Sequence, residues 1–170
     1  MWSHKAKHCP VCGALLEPRE VEGRERPSCP DCSFVQFLNP AAAAAGVVFD
    51  EAGRLLLIRR RIRPFEGAWA VPAGYQEVDE APEDTVRREV FEETGVRIEV
   101  ERLLELVWVP DDPRKPANVA FFQCRALDVE LTAGHDAKEA RWFDPGALPD
   151  NLGFNNRSIL NRLLHSEDES

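Results

Sequence analysis

The chain has 170 residues, a net charge of −9 and a pI of about 5.0, with 44% apolar and 30% charged residues. This composition is typical of a globular protein with one ordinary domain plus a small appendage, and it excludes a disordered chain. The acidic balance argues against broad nucleic-acid binding, which depends on lysine and arginine. The sequence has no apolar stretch long enough for a membrane helix, and its N-terminus lacks the apolar segment of a signal peptide. We therefore expect a cytoplasmic protein without membrane contacts.

The first predicted element is a small metal-binding module at the N-terminus. It contains two C-x2-C pairs, formed by Cys9, Cys12, Cys29 and Cys32. The spacing predicts a structural zinc site of four thiolates, because each pair can present two sulfur ligands to one ion. Two disulfides or free thiols are the alternatives, and the missing secretion signal disfavours the disulfides. We assign residues 1–38 to this module and residues 39–170 to a second domain.

The second domain begins with a predicted β-hairpin. Its strands are Ala41–Phe49 and the segment 54–60, and a turn over residues 50–53 joins them. The run of five alanines at 41–45 has high helix propensity, which leaves a helix as the alternative for that segment. We favour the strand because Gly46 and the β-branched residues after it lead directly into the turn.

A helix is predicted over residues 82–94. Pro82 suits a first helical turn, and Gly95 suits the position just after a helix end. Asp79 or Glu80 is the expected N-terminal cap.

Further strands and a closing helix follow. The apolar runs that predict them cover residues 98–100, 103–109, 119–124 and 140–143 for strands and 158–165 for the helix. A proline-rich loop at 110–116 separates two of these strands. This mixture of elements predicts an α/β or α+β sandwich.

Three carboxylates on the predicted helix are the strongest chemical signal. Glu89, Glu92 and Glu93 are spaced i, i+3 and i+4, so they lie on one face of the helix. Like charges at this spacing repel, and the fold gains nothing from them. A hard divalent cation such as Mg²⁺ removes the repulsion, because it prefers carboxylate oxygens.

The segment around this helix resembles a known family motif. It reads G-x5-E-x7-R-E-V-x-E-E-x-G-V between Gly74 and Val96. This pattern resembles the Nudix box at every specified position. The resemblance implies a Nudix α/β/α sandwich, in which helices enclose a mixed sheet. It also implies hydrolysis of a small-molecule substrate, a nucleoside diphosphate linked to another moiety, with Mg²⁺ or Mn²⁺.

The resemblance also implies roles for individual residues. Glu89, Glu92 and Glu93 would be the metal carboxylates, and Arg88 would orient them through ion pairs. Gly74 would offer its backbone carbonyl to a metal ion.

The family motif assigns the metal ligands but does not specify which residue acts as the general base. One candidate lies inside the box, and Glu80 would only support the box from behind. The other candidates lie in the polar loop at 132–139, where relatives often carry a carboxylate. Asp136 is favoured there as the catalytic base, and Glu139 is the alternative.

A zinc ribbon preceding a Nudix domain narrows the expected substrate. The arrangement resembles the NADH pyrophosphatases and smaller proteins that act on ADP-ribose or FAD. The motif S-Q-P-W-P-F-P of the NADH group is absent after Val96, which favours ADP-ribose or FAD. NADH, NAD-capped RNA or nucleoside triphosphates are alternative substrates. A non-catalytic nucleotide-sugar sensor is the alternative of another class, and the intact glutamates argue against it.

Candidate substrate contacts lie outside the box. Arg60 belongs to a cluster of arginines that suits a phosphate contact, although such runs are usually solvated. Phe154 and Trp108 are candidates for stacking on a base or flavin, although core packing is the common fate of aromatic residues. Many members of the family are dimers, so the resemblance allows a homodimer.

Overall fold

The structure is a computed structural model, and it describes residues 6–110, 115–134 and 136–165. Residues 111–114 of the predicted proline-rich loop lie outside these ranges. A two-stranded antiparallel sheet comes first, formed by β1 (Glu17–Val21) and β2 (Arg24–Ser28) beside the paired cysteines.

The second sheet contains seven strands within the described residues. They are β3 (Ala41–Phe49), β4 (Leu55–Arg60), β5 (Trp69–Ala70), β6 (Ala73–Tyr75), β7 (Ile98–Val109), β8 (Ala117–Ala126) and β9 (Ala137–Phe143). The order is β5-β4-β3-β8-β7, with β6 paired to β3 and β9 paired to β4. The β3–β8 pair is parallel and the other pairs are antiparallel, so the sheet is mixed.

Helices cover both faces of this sheet. Helix α1 (Pro82–Thr94) buries Val86 and Val90 against one face, as residues four positions apart on a helix should. Helix α2 (Asn156–His165) buries Ile159 and Leu160 against the other face. The predicted α/β/α sandwich is therefore confirmed. Among the described helices, none is long and apolar enough to cross a membrane.

The local predictions hold with two corrections. The alanine run lies in β3, because its residues pair with β6 and β8. The segments 98–100 and 103–109 form one strand, β7, whose register with β8 shifts between Val100 and Arg102 and again between Leu103 and Glu105. The predicted N-terminal cap is wrong: Ala81 occupies the cap position, and no side chain caps the helix. The Glu80 carboxylate instead accepts hydrogen bonds from the charged side chain of Arg88.

Candidate active site and metal centre

The site begins where β6 runs beside α1. Gly74 lies in β6, and a Cβ atom at this position would overlap the carboxyl group of Glu89. The missing side chain therefore lets the Glu89 carboxylate lie directly against the β6 backbone. Gly95 ends the helix at a φ of 76°, in the left-handed region that glycine adopts easily. Steric requirements therefore explain why glycine occupies both of these positions in the predicted box.

Arg88 connects the acidic side chains of the site. Its Nη2 donates to Oε2 of Glu80 at 2.9 Å and to the carbonyl of Tyr75 at 3.0 Å. Its Nη1 donates to Glu89 at 2.7 Å and to Glu92 at 3.3 Å. The hydrogen bonds from Arg88 lower the pKa of Glu80 to about 2. One guanidinium therefore fixes three carboxylates and ties α1 to β6.

Glu93 is the most buried carboxylate of the site, with 8% of its surface exposed. Its Oε2 accepts a hydrogen bond from the backbone N–H of Ala73 at 3.0 Å. Burial raises the pKa of Glu93 to about 8, against the lowering effect of that N–H, and repulsion from Glu89 adds to the rise. Burial also raises the pKa of Glu89. The oxygens of Glu89, Glu92 and Glu93 do not all lie within 4.8 Å of one another, so these carboxylates share one face of α1 without closing on a common point. A divalent cation between them would stabilise their ionised form.

The loop before β9 is held against the C-terminal end of α1. Thr132 N–H donates to the carbonyl of Thr94 at 2.8 Å, and Gly134 N–H donates to that of Glu93 at 3.0 Å. A Cβ atom at Gly134 would overlap the carbonyl oxygen of Glu92, so the loop can only approach this closely through glycine. Sequence reasoning missed Gly134, and the only available signal was a glycine within the polar loop.

This contact brings Asp136 to the site. Its carboxylate is near enough to Glu93 to raise the pKa of Glu93 through charge repulsion, and its backbone carbonyl accepts from Arg61 N–H at 2.9 Å. Glu139 lies on β9 opposite Arg59 in the register, and its carboxylate pairs with Arg141. Of the two carboxylates predicted in this loop, it is the charge of Asp136 that adds to the rise in the pKa of Glu93.

A slot with a volume of about 110 Å³ opens beside Gly74 on the α2 side of the sheet. Arg60 and Phe154 line it together, with the guanidinium 5.0 Å from the ring centroid. Asn156 also lines it, and its buried Oδ1 accepts a hydrogen bond from Val71 N–H at 2.9 Å. Sequence reasoning missed the role of Asn156, which no motif marked.

Trp108 is not among the residues that line the slot. It is 63% exposed, and its neighbour Val109 lines the slot. Successive residues of a strand point to opposite faces, so Trp108 projects on the α1 side of β7, away from the slot. The expectation of core packing is wrong for Trp108.

The four paired cysteines form a second centre. One sulfur atom from each lies within 4.8 Å of the others, and Sγ–Sγ distances are 3.7 Å for Cys9–Cys32 and 3.4 Å for Cys12–Cys29. A tetrahedral ion with metal–sulfur bonds of about 2.3 Å separates its ligands by about 3.8 Å. The cluster therefore fits one tetrahedral ion. Cys124 is buried apart from these four, and burial raises its pKa to about 12.

Comparison with known proteins gives a consistent result. The family profile described as NUDIX domain matches residues 39–163. A Methanocaldococcus jannaschii protein named ADP-ribose pyrophosphatase is 40% identical over 125 residues, which are 73% of each chain. A Pseudomonas aeruginosa protein named NAD-capped RNA hydrolase NudC is 27% identical over 88% of this chain, but only 51% of its own length is covered.

The fold comparison extends to nearly the whole chain. The crystal structure of a NUDIX hydrolase from Nitrosomonas europaea superposes with a TM-score of 0.86 and 25% identity, covering 97% of this chain and 94% of that one. The profile match, the 40% identical relative and the glutamate cluster agree. The chain therefore belongs to the Nudix hydrolase family.

Proposed function

We propose that this Nudix pyrophosphohydrolase cleaves the pyrophosphate bond of an ADP-containing small molecule such as ADP-ribose or FAD. The observation that carries the proposal is the Arg88 network, which holds Glu80, Glu89 and Glu92 together beside Gly74. The resemblance to a protein named ADP-ribose pyrophosphatase supports the ADP-containing class.

Four groups would hold the catalytic cation: the carboxylates of Glu89, Glu92 and Glu93 and the backbone carbonyl of Gly74. All are oxygen donors, which suits Mg²⁺ or Mn²⁺. Such an ion, when bound, would neutralise the diphosphate charge and lower the pKa of a bound water. The burial of Glu93 and the contact of Glu89 with Gly74, which lines the slot, support this assignment.

The remaining steps fall to side chains of the chain itself. Asp136 accepts the proton of the attacking water on its carboxylate, while Arg88 keeps the carboxylates of α1 in place. Water oxygen bonds to phosphorus as the bridging P–O bond breaks, so one ADP-ribose molecule yields AMP and ribose 5-phosphate. Arg60, at the wall of the slot, offsets negative charge on the phosphate that leaves.

The cysteine cluster is proposed to bind Zn²⁺ as a structural ion. Four thiolates leave no open coordination position, so this ion has no catalytic task. We propose that residues 1–38 form a zinc ribbon and residues 39–170 the hydrolase domain. The start of the family match at residue 39 supports this division.

A second candidate activity is removal of an NAD cap from RNA. The similarity to the protein named NAD-capped RNA hydrolase favours it, because that match covers 88% of this chain. The acidic net charge and the missing NADH motif make it the second choice.

A substrate panel tests the proposal. Purified protein is incubated with Mg²⁺ or Mn²⁺ and ADP-ribose, FAD, NADH, NAD-capped RNA or a nucleoside triphosphate. Chromatography measures AMP from the first three, nicotinamide mononucleotide from capped RNA, and the nucleoside monophosphate from the triphosphate. We expect the highest kcat/KM with ADP-ribose or FAD. Turnover of capped RNA or triphosphates alone would contradict the proposed class, and no turnover of any ADP-containing compound would overturn the proposal.

A further inference from the structure

The arginines at the end of β4 donate hydrogen bonds to backbone carbonyl groups. Arg59 and Arg60 donate within the loop that follows β4. Arg61 reaches a distant part of the chain, because its Nε and Nη2 donate to the carbonyl oxygen of Ala137 at 3.2 and 2.9 Å. One arginine of the basic cluster therefore joins β4 to the segment that carries Asp136.

The backbone of Arg61 makes a second contact with the same segment. Its N–H donates to the carbonyl of Asp136 at 2.9 Å. The register between β4 and β9 shifts by one residue just before this contact, since Arg60 lies opposite Ala137 where a continuous ladder would place Lys138. Such shifts change the direction of neighbouring side chains and are common next to active sites. Arg61 thus holds the segment where regular strand pairing ends.

Helix α1 holds the same segment at its other end. Gly134 N–H donates to the carbonyl of Glu93 at 3.0 Å, and Ala137 N–H donates to the carbonyl of Gly134 at 3.2 Å. Asp136 therefore lies between two anchored points, one on α1 through Gly134 and one on β4 through Arg61.

The loop after β4 supports Arg61. Gly67 N–H donates to the carbonyl of Arg60 at 2.9 Å, which folds the loop back onto the strand. Lys138 adds a second connection, with its Nζ 2.8 Å from Oε1 of Glu66. Both of these side chains are exposed, and exposed ion pairs contribute little. The two donors of Arg61 on one carbonyl oxygen are therefore the main connection.

A side chain that takes a proton from water needs a fixed position. It must lie within hydrogen-bond reach of that water, and a displacement of about 1 Å can lower a rate about 100-fold. The planar guanidinium of Arg61 suits this task, because its donors point in fixed directions. Without Arg61, water can solvate the Ala137 carbonyl, so the segment gains freedom while the fold is kept.

We propose that Arg61 is a positioning residue that fixes Asp136 beside the glutamates of α1 by holding the peptide groups of Asp136 and Ala137. The inference rests on the proposed function, in which Asp136 accepts the proton of the attacking water. Arg61 acts on Asp136 through the backbone, so its loss should lower the rate of the chemical step and leave substrate binding unchanged. The loss should matter only while the carboxylate at position 136 is present.

A double-mutant cycle tests this dependence. Arg61→Ala, Asp136→Asn and the double variant are assayed with Mg²⁺ on the best wild-type substrate of the panel. We expect Arg61→Ala to lower kcat about tenfold with KM changed less than about twofold, and Asp136→Asn to lower kcat about 100-fold. In the Asp136→Asn protein, Arg61→Ala should lower kcat by less than about twofold, because no base is left to position.

Two further variants control for charge and for donor geometry. Arg63→Ala removes one positive charge from the same loop at an exposed position, and it should retain wild-type kcat. Arg61→Lys keeps the charge and one donor for the Ala137 carbonyl. We expect its kcat to lie about threefold above that of Arg61→Ala.

Amide hydrogen exchange gives a measurement that requires no turnover. The N–H of Ala137 donates to Gly134, so its exchange in the full-length protein reports how firmly the segment is held. We expect exchange about tenfold faster in Arg61→Ala and unchanged in Arg63→Ala. Wild-type exchange at Ala137 in Arg61→Ala would overturn the proposal.

The kinetic outcomes separate the role of Arg61 from the proposed function. An equal loss of kcat from Arg61→Ala in the wild-type and Asp136→Asn backgrounds would overturn the proposal. Wild-type kcat in Asp136→Asn would also overturn it, although turnover of ADP-ribose or FAD would still support the substrate class. Turnover of nucleoside triphosphates alone, with Arg61→Ala harmless in Asp136→Asn, would support the role of Arg61 and contradict the proposed substrate.

Discussion

Arg88 joins Glu80 on one side to Glu89 on the other, donating from Nη2 to Glu80 at 2.9 Å and from Nη1 to Glu89 at 2.7 Å. Glu80 comes from the loop before α1, while Glu89 belongs to α1 itself and touches the backbone of β6. The planar guanidinium suits this task because its donors point in fixed directions. The orientation of the metal-binding face of α1 is thereby tied to the loop that precedes it.

Replacing Arg88 with lysine should impair catalysis while leaving the fold intact. Lysine keeps the charge but lacks the fork of donors, so Glu80 and Glu89 lose their common partner. We expect kcat to fall about 10- to 100-fold and the Mg²⁺ concentration for half-maximal rate to rise. Steady-state kinetics over a Mg²⁺ series measures both quantities.

The control is Arg87→Lys, the adjacent arginine, which pairs with the exposed Asp84 at 3.0 Å. Arg87→Lys should retain wild-type kinetics. Equal activity in the two variants would show that Arg88 does not position the site.

Gly134→Ala should move the loop that carries Asp136. The added Cβ overlaps the Glu92 carbonyl, so the loop must shift away from α1. We expect the free energy of unfolding to fall by about 1–3 kcal/mol. The fold-decrease in kcat should be larger than the fold-change in KM. Chemical denaturation and steady-state kinetics check these expectations. Ala133→Ser, one residue earlier and exposed, should leave both unchanged. A Gly134→Ala protein with wild-type kcat would contradict the placement of Asp136.

Asp50, in the turn between β3 and β4, should make the stability of the protein depend on pH. Its Oδ1 accepts from the N–H groups of Ala52 at 3.0 Å and Arg54 at 2.8 Å, and Arg54 Nε donates to Oδ2 at 2.7 Å. Burial acts to raise the pKa of Asp50, but the hydrogen bonds and charge of Arg54 outweigh it and lower the pKa. A lowered folded-state pKa contributes stability above the ordinary pKa of about 3.9, and this contribution is lost as pH falls through the folded-state pKa.

Asp50→Asn should therefore lower the free energy of unfolding by about 1–3 kcal/mol at pH 7, and the difference should shrink below about pH 4. Urea denaturation of both proteins at several pH values measures this. Glu51→Gln in the same turn is exposed and serves as the control. A difference that stays constant from pH 7 to pH 3 would contradict the role of the ionised carboxylate.

The cysteine cluster should retain zinc through purification. Metal analysis should give about one equivalent per chain, because four thiolates bind one tetrahedral ion. Cys12→Ser should lower the zinc content, and Cys124→Ser, which changes the cysteine outside the cluster, should not. Less than about half an equivalent in wild-type protein would count against the ribbon.

The helix and its glutamates could be predicted from sequence because their signals are local. Pro82 and Gly95 mark the helix ends, and the spacing of Glu89, Glu92 and Glu93 alone places them on one face. The strand at the alanine run was harder, because helix propensity opposes it and pairing with distant strands decides it.

The slot could not be predicted for the same reason. Residues of β6, β3 and β8 line the slot side by side, and only the sheet register brings these strands together. Gly134 and Asn156 act through one backbone contact each, and neither leaves a pattern in the sequence. Trp108 was singled out by residue type, but strand alternation places it on the face away from the slot.

The most direct test of the metal-site claim replaces the glutamates one at a time. Glu92→Gln and Glu93→Gln each remove a charged oxygen donor while keeping the side-chain shape, and AMP release from ADP-ribose is measured with Mg²⁺. We predict a loss of roughly 100-fold or more in kcat for each, with circular dichroism spectra matching wild type. Glu83→Gln, an exposed glutamate in the first turn of the same helix, should retain full activity. Wild-type rates in Glu92→Gln and Glu93→Gln would contradict the assignment of α1 as the hydrolytic metal site.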